Sequence, residues 1–196
     1  MSLHTIRELQ YRIGMYEDLK AYETLYNAMF DPLHRLSFSI VKSNEAAEEI
    51  VSDVFIKLWM MRARLSEIDN LKVYLFTIAK NFSINFVYRN YKNISARIDE
   101  IDIEPVISFG NPEEIFISAE TVEKIKAAIR QLPPQCRLIF QLVKEEEMAY
   151  KEVAGILDLS VLTVRNQLVI ALKKIATLLP DTINSSSLAV SKFSVS

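Results

Sequence analysis

Residues 132–175, LPPQCRLIFQLVKEEEMAYKEVAGILDLSVLTVRNQLVIALKKI, constrain the fold more than any other stretch of the chain. Their apolar spacing fits two short helices around a tight turn. In the first, Val153, Ile156 and Leu157 share one face, and small Ala154 lets another helix cross closely. Asp158 stands where the chain must turn, a position at which Asp tolerates the left-handed backbone better than most residues. Ser160 suits the N-cap of the next helix. That helix is expected to bury Val164, Leu168, Leu172 and Ile175, at spacings of 4, 4 and 3. Its other face offers Ser160, Leu162, Thr163, Arg165, Asn166, Val169 and Lys173. The pattern is that of a helix-turn-helix, whose second helix enters the major groove with its N-terminal part. Duplex DNA is therefore the expected ligand, and an ordinary helical hairpin is the competing reading.

The rest of the chain supports an all-α fold. Only 3 of 196 residues are glycine, which disfavours a sheet protein rich in tight turns, while half the residues are apolar, enough for real cores. The apolar runs are too short and interrupted to span a bilayer, so no direct membrane insertion is expected. The first residues, MSLHTIRELQYR, lack the apolar core of a signal peptide. A single cysteine, Cys136, permits no internal disulfide and fits a reducing cytoplasm. With His4 and His34 far from it in sequence, no metal cage and no cofactor are expected, and Cys136 reads as a small buried hydrophobe.

The formal net charge of −2 conceals a strong alternation. Residues 57–97 hold eight basic and two acidic side chains, a local charge of +6, whereas residues 98–123 hold eight acids and no Lys or Arg, a local charge of −8. Such blocks mark linkers or interaction surfaces. The expected organisation is two small helical domains joined by an acidic linker, the C-terminal one containing the helix-turn-helix. The first domain covers residues 1–91, the linker 92–114 (with Pro105, Gly110 and Pro112), the second domain 115–180, and a disordered tail 181–196. Within the first domain one helix is expected at residues 45–61, with Ile50, Val54 and Leu58 beside Val51, Phe55 and Trp59. Another is expected at 71–91, burying Leu75, Ala79, Phe82 and Phe86, with a polar loop at 63–70 between them.

Three surfaces are candidates for function. The first is an acidic stripe, Glu45, Glu49 and Asp53, with Glu48 beside it. Like charges four residues apart weaken a helix slightly, so their repetition suggests a basic partner. A merely solvated face, partly relieved by Lys57, is the alternative. The second is the stripe Thr77, Asn81, Asn85 and Arg89, with Lys72, Lys80 and Tyr74 nearby. Asn and Arg read base edges, Lys neutralises phosphate, and aromatic rings stack on unpaired bases. The aromatics of this helix, Phe76 above all, can equally be core. The third is the exposed face of the helix-turn-helix.

These residues resemble a bacterial RNA polymerase sigma factor of the extracytoplasmic-function group. NEAAEEIVSDVFIKLWMMR (residues 44–62) resembles that family's polymerase-binding helix. NLKVYLFTIAKNFSINFVYRN (70–90), with FTIAKN inside it, resembles its −10 element. The helix-turn-helix, led in by LPPQCR, resembles its −35 reader. The resemblance implies that Glu45, Glu48, Glu49 and Asp53 face the core polymerase. It implies that the 63–70 loop, with Lys80 and Asn81, holds a base flipped from the melted −10 strand. It further implies that Ser160, Thr163, Arg165, Asn166 and Val169 meet the −35 groove, that the acidic linker runs toward the RNA exit path, and that an anti-sigma factor restrains the protein. No catalytic residue is implied. Departures from the family pattern are Glu147, where Gly is usual, and Leu162, Val169 and Ile170, at positions more often small, polar or basic. Two other readings stay open: an operator-binding regulator that never joins the polymerase, and a polymerase-binding protein that reads promoters poorly. No arrangement of nucleophile and base, phosphate-binding loop or ligand cluster points to an enzyme.

Overall fold

The computed structural model describes residue 1, residues 3–90 and residues 119–178. Every regular element among them is helical, as expected, and the chain divides into two compact units, Met1–Ala96 and Arg97–Ser196. The expected acidic linker at 92–114 and tail at 181–196 lie outside the described residues.

The first unit comprises α1 (Leu3–Tyr16), α2 (Leu19–Val41), α3 (Asn44–Met60), a 3-10 segment (Arg62–Glu67) and α4 (Leu71–Asn90). Helix α2 is the centre, with α1, α3 and α4 packed around it. Its buried residues Ala21, Leu25, Met29, Leu33, Leu36 and Ile40 recur every three or four positions, as a core helix requires. Tyr22 and Tyr26 of α2 hold α3: the Tyr22 hydroxyl donates to the Phe55 carbonyl at 3.0 Å, and Tyr26 lies 4.7 Å from the Phe55 ring. Helix α1, which the sequence reading left unassigned, buries Ile6, Leu9 and Ile13.

Asp18 starts α2. Its carboxylate accepts from Lys20 N at 2.9 Å, Ala21 N at 3.1 Å and Arg12 Nη2 at 2.7 Å. The Arg12 guanidinium, then the Ala21 amide, hold the Asp18 carboxyl below its usual range. A depressed folded value means that this contribution is complete above the ordinary Asp range and is lost as pH falls through the folded value. Asp18→Asn should therefore flatten the acid side of the first unit's stability curve, and urea melts at pH 3 and pH 7 check it. An acid loss as steep as in the parent chain would contradict the assignment.

The structure corrects three burial expectations. In α4 the buried positions are Leu71, Leu75, Phe76, Ile78, Ala79, Lys80, Ser83 and Val87, while Phe82 and Phe86 are half-buried. Residues 63–70 are a polar connection only in part, since most of them wind into the 3-10 segment and Leu65 is fully buried. In the last helix it is Ala171, rather than Leu172, that is fully buried.

The second unit comprises α5 (Ala119–Arg130), α6 (Pro134–Phe140), a π-helical turn (Gln141–Glu145), α7 (Tyr150–Leu157) and α8 (Val161–Leu178). The LPPQCR segment has a clear structural purpose. Pro134 opens α6, where a missing N–H costs nothing. Arg137 turns back to donate to the carbonyls of Ile129 (3.2 Å), Arg130 and Leu132 (2.8 Å), capping the end of α5. Cys136 is buried, its thiol donates to Gln167 Oε1 at 2.7 Å, and burial pushes its pKa up.

Glu147 precedes α7 with φ of 54°, in the left-handed region. That is the position at which the sequence departs from a usual Gly, and the backbone gives the reason. A non-Gly residue there costs about 1–2 kcal/mol, offset in part by the greater chain entropy of unfolded glycine. Glu147→Gly should therefore stabilise the second unit by roughly 0.5–1 kcal/mol. Thermal unfolding checks it, and a lowered midpoint would contradict it.

Candidate nucleic-acid interface

The helix-turn-helix is built from local geometry. At the start of α7 the Ala149 N–H donates to the Glu152 carboxylate at 2.8 Å. Val153, Ala154, Ile156 and Leu157 are buried. Asp158 ends α7 with φ 57° and ψ 43°, the left-handed conformation expected of it, and the Leu159 N–H closes on the Ala154 carbonyl at 2.9 Å. Ser160 Oγ then accepts from the Thr163 N–H at 2.9 Å and lies 2.7 Å from Thr163 Oγ1, making the N-cap of α8. The chain bends by 104° between α7 and α8, inside the range of this motif. Val164, Leu168, Ala171 and Ile175 seat α8 on its unit.

The opposite face of α8 is the candidate surface. Ser160, Leu162, Arg165, Asn166 and Lys173 are exposed, and Thr163 and Val169 are half-exposed. Leu162 is 64% exposed at the first turn of the helix, with Val161 and Ile170 also exposed. Cation, amide and apolar side chains thus alternate along one solvent-facing stripe, the mixture that reads guanine, adenine and the thymine methyl group.

In the first unit α3 begins at Ser43, whose Oγ accepts from Ala46 N at 3.2 Å and donates to Glu45 Oε2 at 2.8 Å. A bond from its own backbone N–H, then the Ser43 hydroxyl, lower the pKa of Glu45 and keep it ionised. Glu45, Glu48, Glu49 and Asp53 are all exposed, opposite the buried Ala47, Ile50, Val51, Val54 and Leu58. Lys57, four residues after Asp53, has its Nζ 5.5 Å from the centre of the Phe82 ring. The acidic stripe continues into Ile56 (55% exposed) and Met60 (78% exposed), which sequence reasoning passed over. Their spacing from Asp53, three and then four residues, was the available signal.

Helix α4 presents Asn81, Asn85 and Arg89 to solvent, with Thr77 half-exposed at the head of the row. Thr77 Oγ1 donates to the Val73 carbonyl at 2.8 Å. Tyr74 is half-exposed, and its hydroxyl lies 2.9 Å from Met61 Sδ. Lys72 is half-exposed with Nζ 5.9 Å from the Phe76 ring centre, while Phe76 itself is core. Lys80 departs from the sequence-based expectation. It is only 3% exposed, so it lies beneath the row rather than in it. No cluster of metal-ligating side chains occurs among the described residues, and no single helix among them is long and apolar enough to cross a membrane.

Comparison with known proteins divides the chain in the same two places. Residues 25–92 match the family Sigma-70 region 2, and residues 122–175 match Sigma-70, region 4. The ECF RNA polymerase sigma-E factor of Escherichia coli strain K12 is 28% identical over 127 residues, which are 61% of this chain and 66% of that protein, so the chain spans just under two thirds of that relative. RNA polymerase sigma factor YlaC of Bacillus subtilis strain 168 is 25% identical over 154 residues, 78% of this chain and 84% of that one. The fold is also that of the sigma factor RpoE, solved in complex with the anti-sigma factor NepR from Bartonella quintana. That likeness has a TM-score of 0.59 at 21% identity, over 83% of this chain and 98% of that chain.

Proposed function

The chain belongs to the sigma-70 family, in its extracytoplasmic-function (ECF) group, and from that premise we propose that it binds core RNA polymerase and directs it to promoters. The first domain, residues 1–91, carries polymerase binding and −10 recognition. The second, residues 115–180, carries −35 recognition, and the acidic 92–114 segment links them. One observation supports this best. The region 2 and region 4 matches fall, in that order, on two units, and each unit turns a charged or polar helix face to solvent.

Glu45, Glu48, Glu49 and Asp53 meet a basic surface of the polymerase, and long-range attraction speeds that encounter. Ile56 and Met60 supply apolar area at the end of the same stripe. Thr77, Asn81, Asn85 and Arg89, with Lys72 and Tyr74, meet the melted −10 strand, where aromatic rings stack on unpaired bases. Lys80, which is buried, supports that face from beneath. Ser160, Leu162, Thr163, Arg165, Asn166, Val169 and Lys173 meet the −35 major groove, with Arg165 suited to guanine and Asn166 to adenine. The chain contributes specificity and no bond-making chemistry, and it works in the cytoplasm beside the polymerase. An anti-sigma factor, by analogy with the partner of RpoE, would restrain it by covering these faces.

The eight acids of residues 98–123 repel DNA and oppose the basic 57–97 block, so the chain's own affinity for promoters should be weak. Footprinting of promoter fragments tests the proposal. The chain together with core polymerase should protect −35 and −10 segments, and the chain alone should protect little. Protection by the chain alone, unchanged when polymerase is added, would instead support an operator-binding regulator.

A further inference from the structure

The connection between α3 and α4 is held from a distance. Gln10 of α1 lies 55 residues before Leu65, yet its side-chain amide donates to the Leu65 carbonyl at 2.5 Å and to the Ile68 carbonyl at 2.8 Å. Gln10 is buried, at 7% exposure. At the other end of the connection, α1 passes so close that a Cβ on Gly14 would stand 3.1 Å from the Arg62 carbonyl oxygen and 3.6 Å from Leu65 Cβ. Just beyond α1, Glu17 pairs with Arg62 at 3.0 Å.

A 3-10 segment holds its own shape poorly, and here the Leu65 carbonyl accepts the Ile68 N–H at 3.0 Å as well as the Gln10 amide. Of its side chains only Leu65 is buried, while Ala63, Arg64, Ser66, Glu67 and Asp69 of the connection face solvent. The shape of this rim is therefore set by α1, and a cleft of about 400 Å³ lies between His4, Arg7 and Gln10 of α1 and Asp69 and Asn70 of the connection. Helix α1 precedes the segment that matches region 2, which begins at residue 25.

We propose that Gln10 is a positioning residue for base discrimination: through its two bonds to Leu65 and Ile68, α1 holds the 62–70 connection in the shape that selects the base drawn out of the −10 strand. This rests on the sigma reading above. Extracting a base is unfavourable, and a rim already in place offsets that cost better than one that must order on contact.

The test uses the full chain with core polymerase and single-stranded −10 oligonucleotides carrying each of the four bases at each position. Gln10→Met keeps the length and burial but removes both donors. It should flatten the preference at the most selective position by roughly tenfold, the loss of one to two buried hydrogen bonds. Affinity for core polymerase should not change. A purely structural role would lower all affinities together and leave the ratio between bases intact. Gly14→Ala serves as the second variant. Alanine favours the helix, so α1 is not weakened, yet its methyl group presses on Arg62 and should also reduce discrimination. If Gln10→Met fails to fold, Gly14→Ala decides alone. Undiminished base preference in a folded variant overturns the inference. No base preference in the parent chain with polymerase would instead overturn the sigma reading, and this inference with it.

Discussion

Arg137→Met should lower the unfolding free energy of the second unit by about 3 kcal/mol, since hydrogen bonds to a charged donor contribute about 1.5–3 kcal/mol each and are not additive. Arg137 is 8% exposed and donates to three backbone carbonyls at the end of α5, those of Ile129, Arg130 and Leu132. Ile129 and Leu132 are each 2% exposed, so water cannot readily replace the guanidinium. Methionine fills much of the same space and donates nothing, which isolates the polar loss from a cavity. For a unit of this size a loss of that order is a drop of more than about 10 °C in the unfolding midpoint. Hydrogen exchange at the amides of α5 to α8 reads it locally. Amide protection in these helices equal to that of the parent chain would show that the cap is dispensable.

A second large effect is expected at the acidic stripe. Reversing Glu48, Glu49 and Asp53 together to lysine should weaken binding to core polymerase by more than about a hundredfold, as close charge pairs across an interface couple by roughly 1.5–7 kcal/mol. Glu45 is left in place because its carboxylate also belongs to the start of α3, through Ser43. The three reversed residues are exposed and have no structural task in α3, so the fold should be retained. The effect should shrink as salt rises, because exposed charges are screened over a Debye length. Titration of labelled chain with core polymerase at two salt concentrations measures it. A change of less than about threefold at low salt would remove the stripe from the interface, since even one exposed pair can account for that much.

Much of the second unit was legible because its signals are local. A left-handed Asp158, a capping Ser160 and apolar residues three or four apart depend only on near neighbours in sequence, and α7 and α8 formed where these placed them. Helix α4 was less legible because apolar residues lie on both sides of its polar row. Two stripes fit the spacing equally, and packing against α2 chose the one containing Phe76 and Val87 over that containing Phe82 and Phe86. The core stripe of α8 runs through Val164, Leu168, Ala171 and Ile175 at spacings of 4, 3 and 4, which apolar spacing alone does not separate from the 4, 4 and 3 that includes Leu172. The burial of Lys80 was hidden for a related reason, since a lysine beside the polar row reads as part of it until the neighbouring helix is in place.

The least legible part was the link between α1 and the 62–70 connection. Ile6, Leu9 and Ile13 carry a helical spacing that was available in the sequence. The task of Gln10 was not, because its two partners lie 55 and 58 residues away and a buried glutamine has no periodicity of its own. The polar composition of residues 63–70 likewise suggested an open loop, whereas one buried leucine and a distant amide turn most of it into an ordered segment.

The most direct test is run-off transcription with purified chain and core polymerase over a library of promoter-length fragments. Discrete start sites that share −10 and −35 sequences, absent with core polymerase alone, are the expected result. An active core enzyme that gives the same transcripts with and without the chain would contradict the assignment as a promoter-specificity subunit.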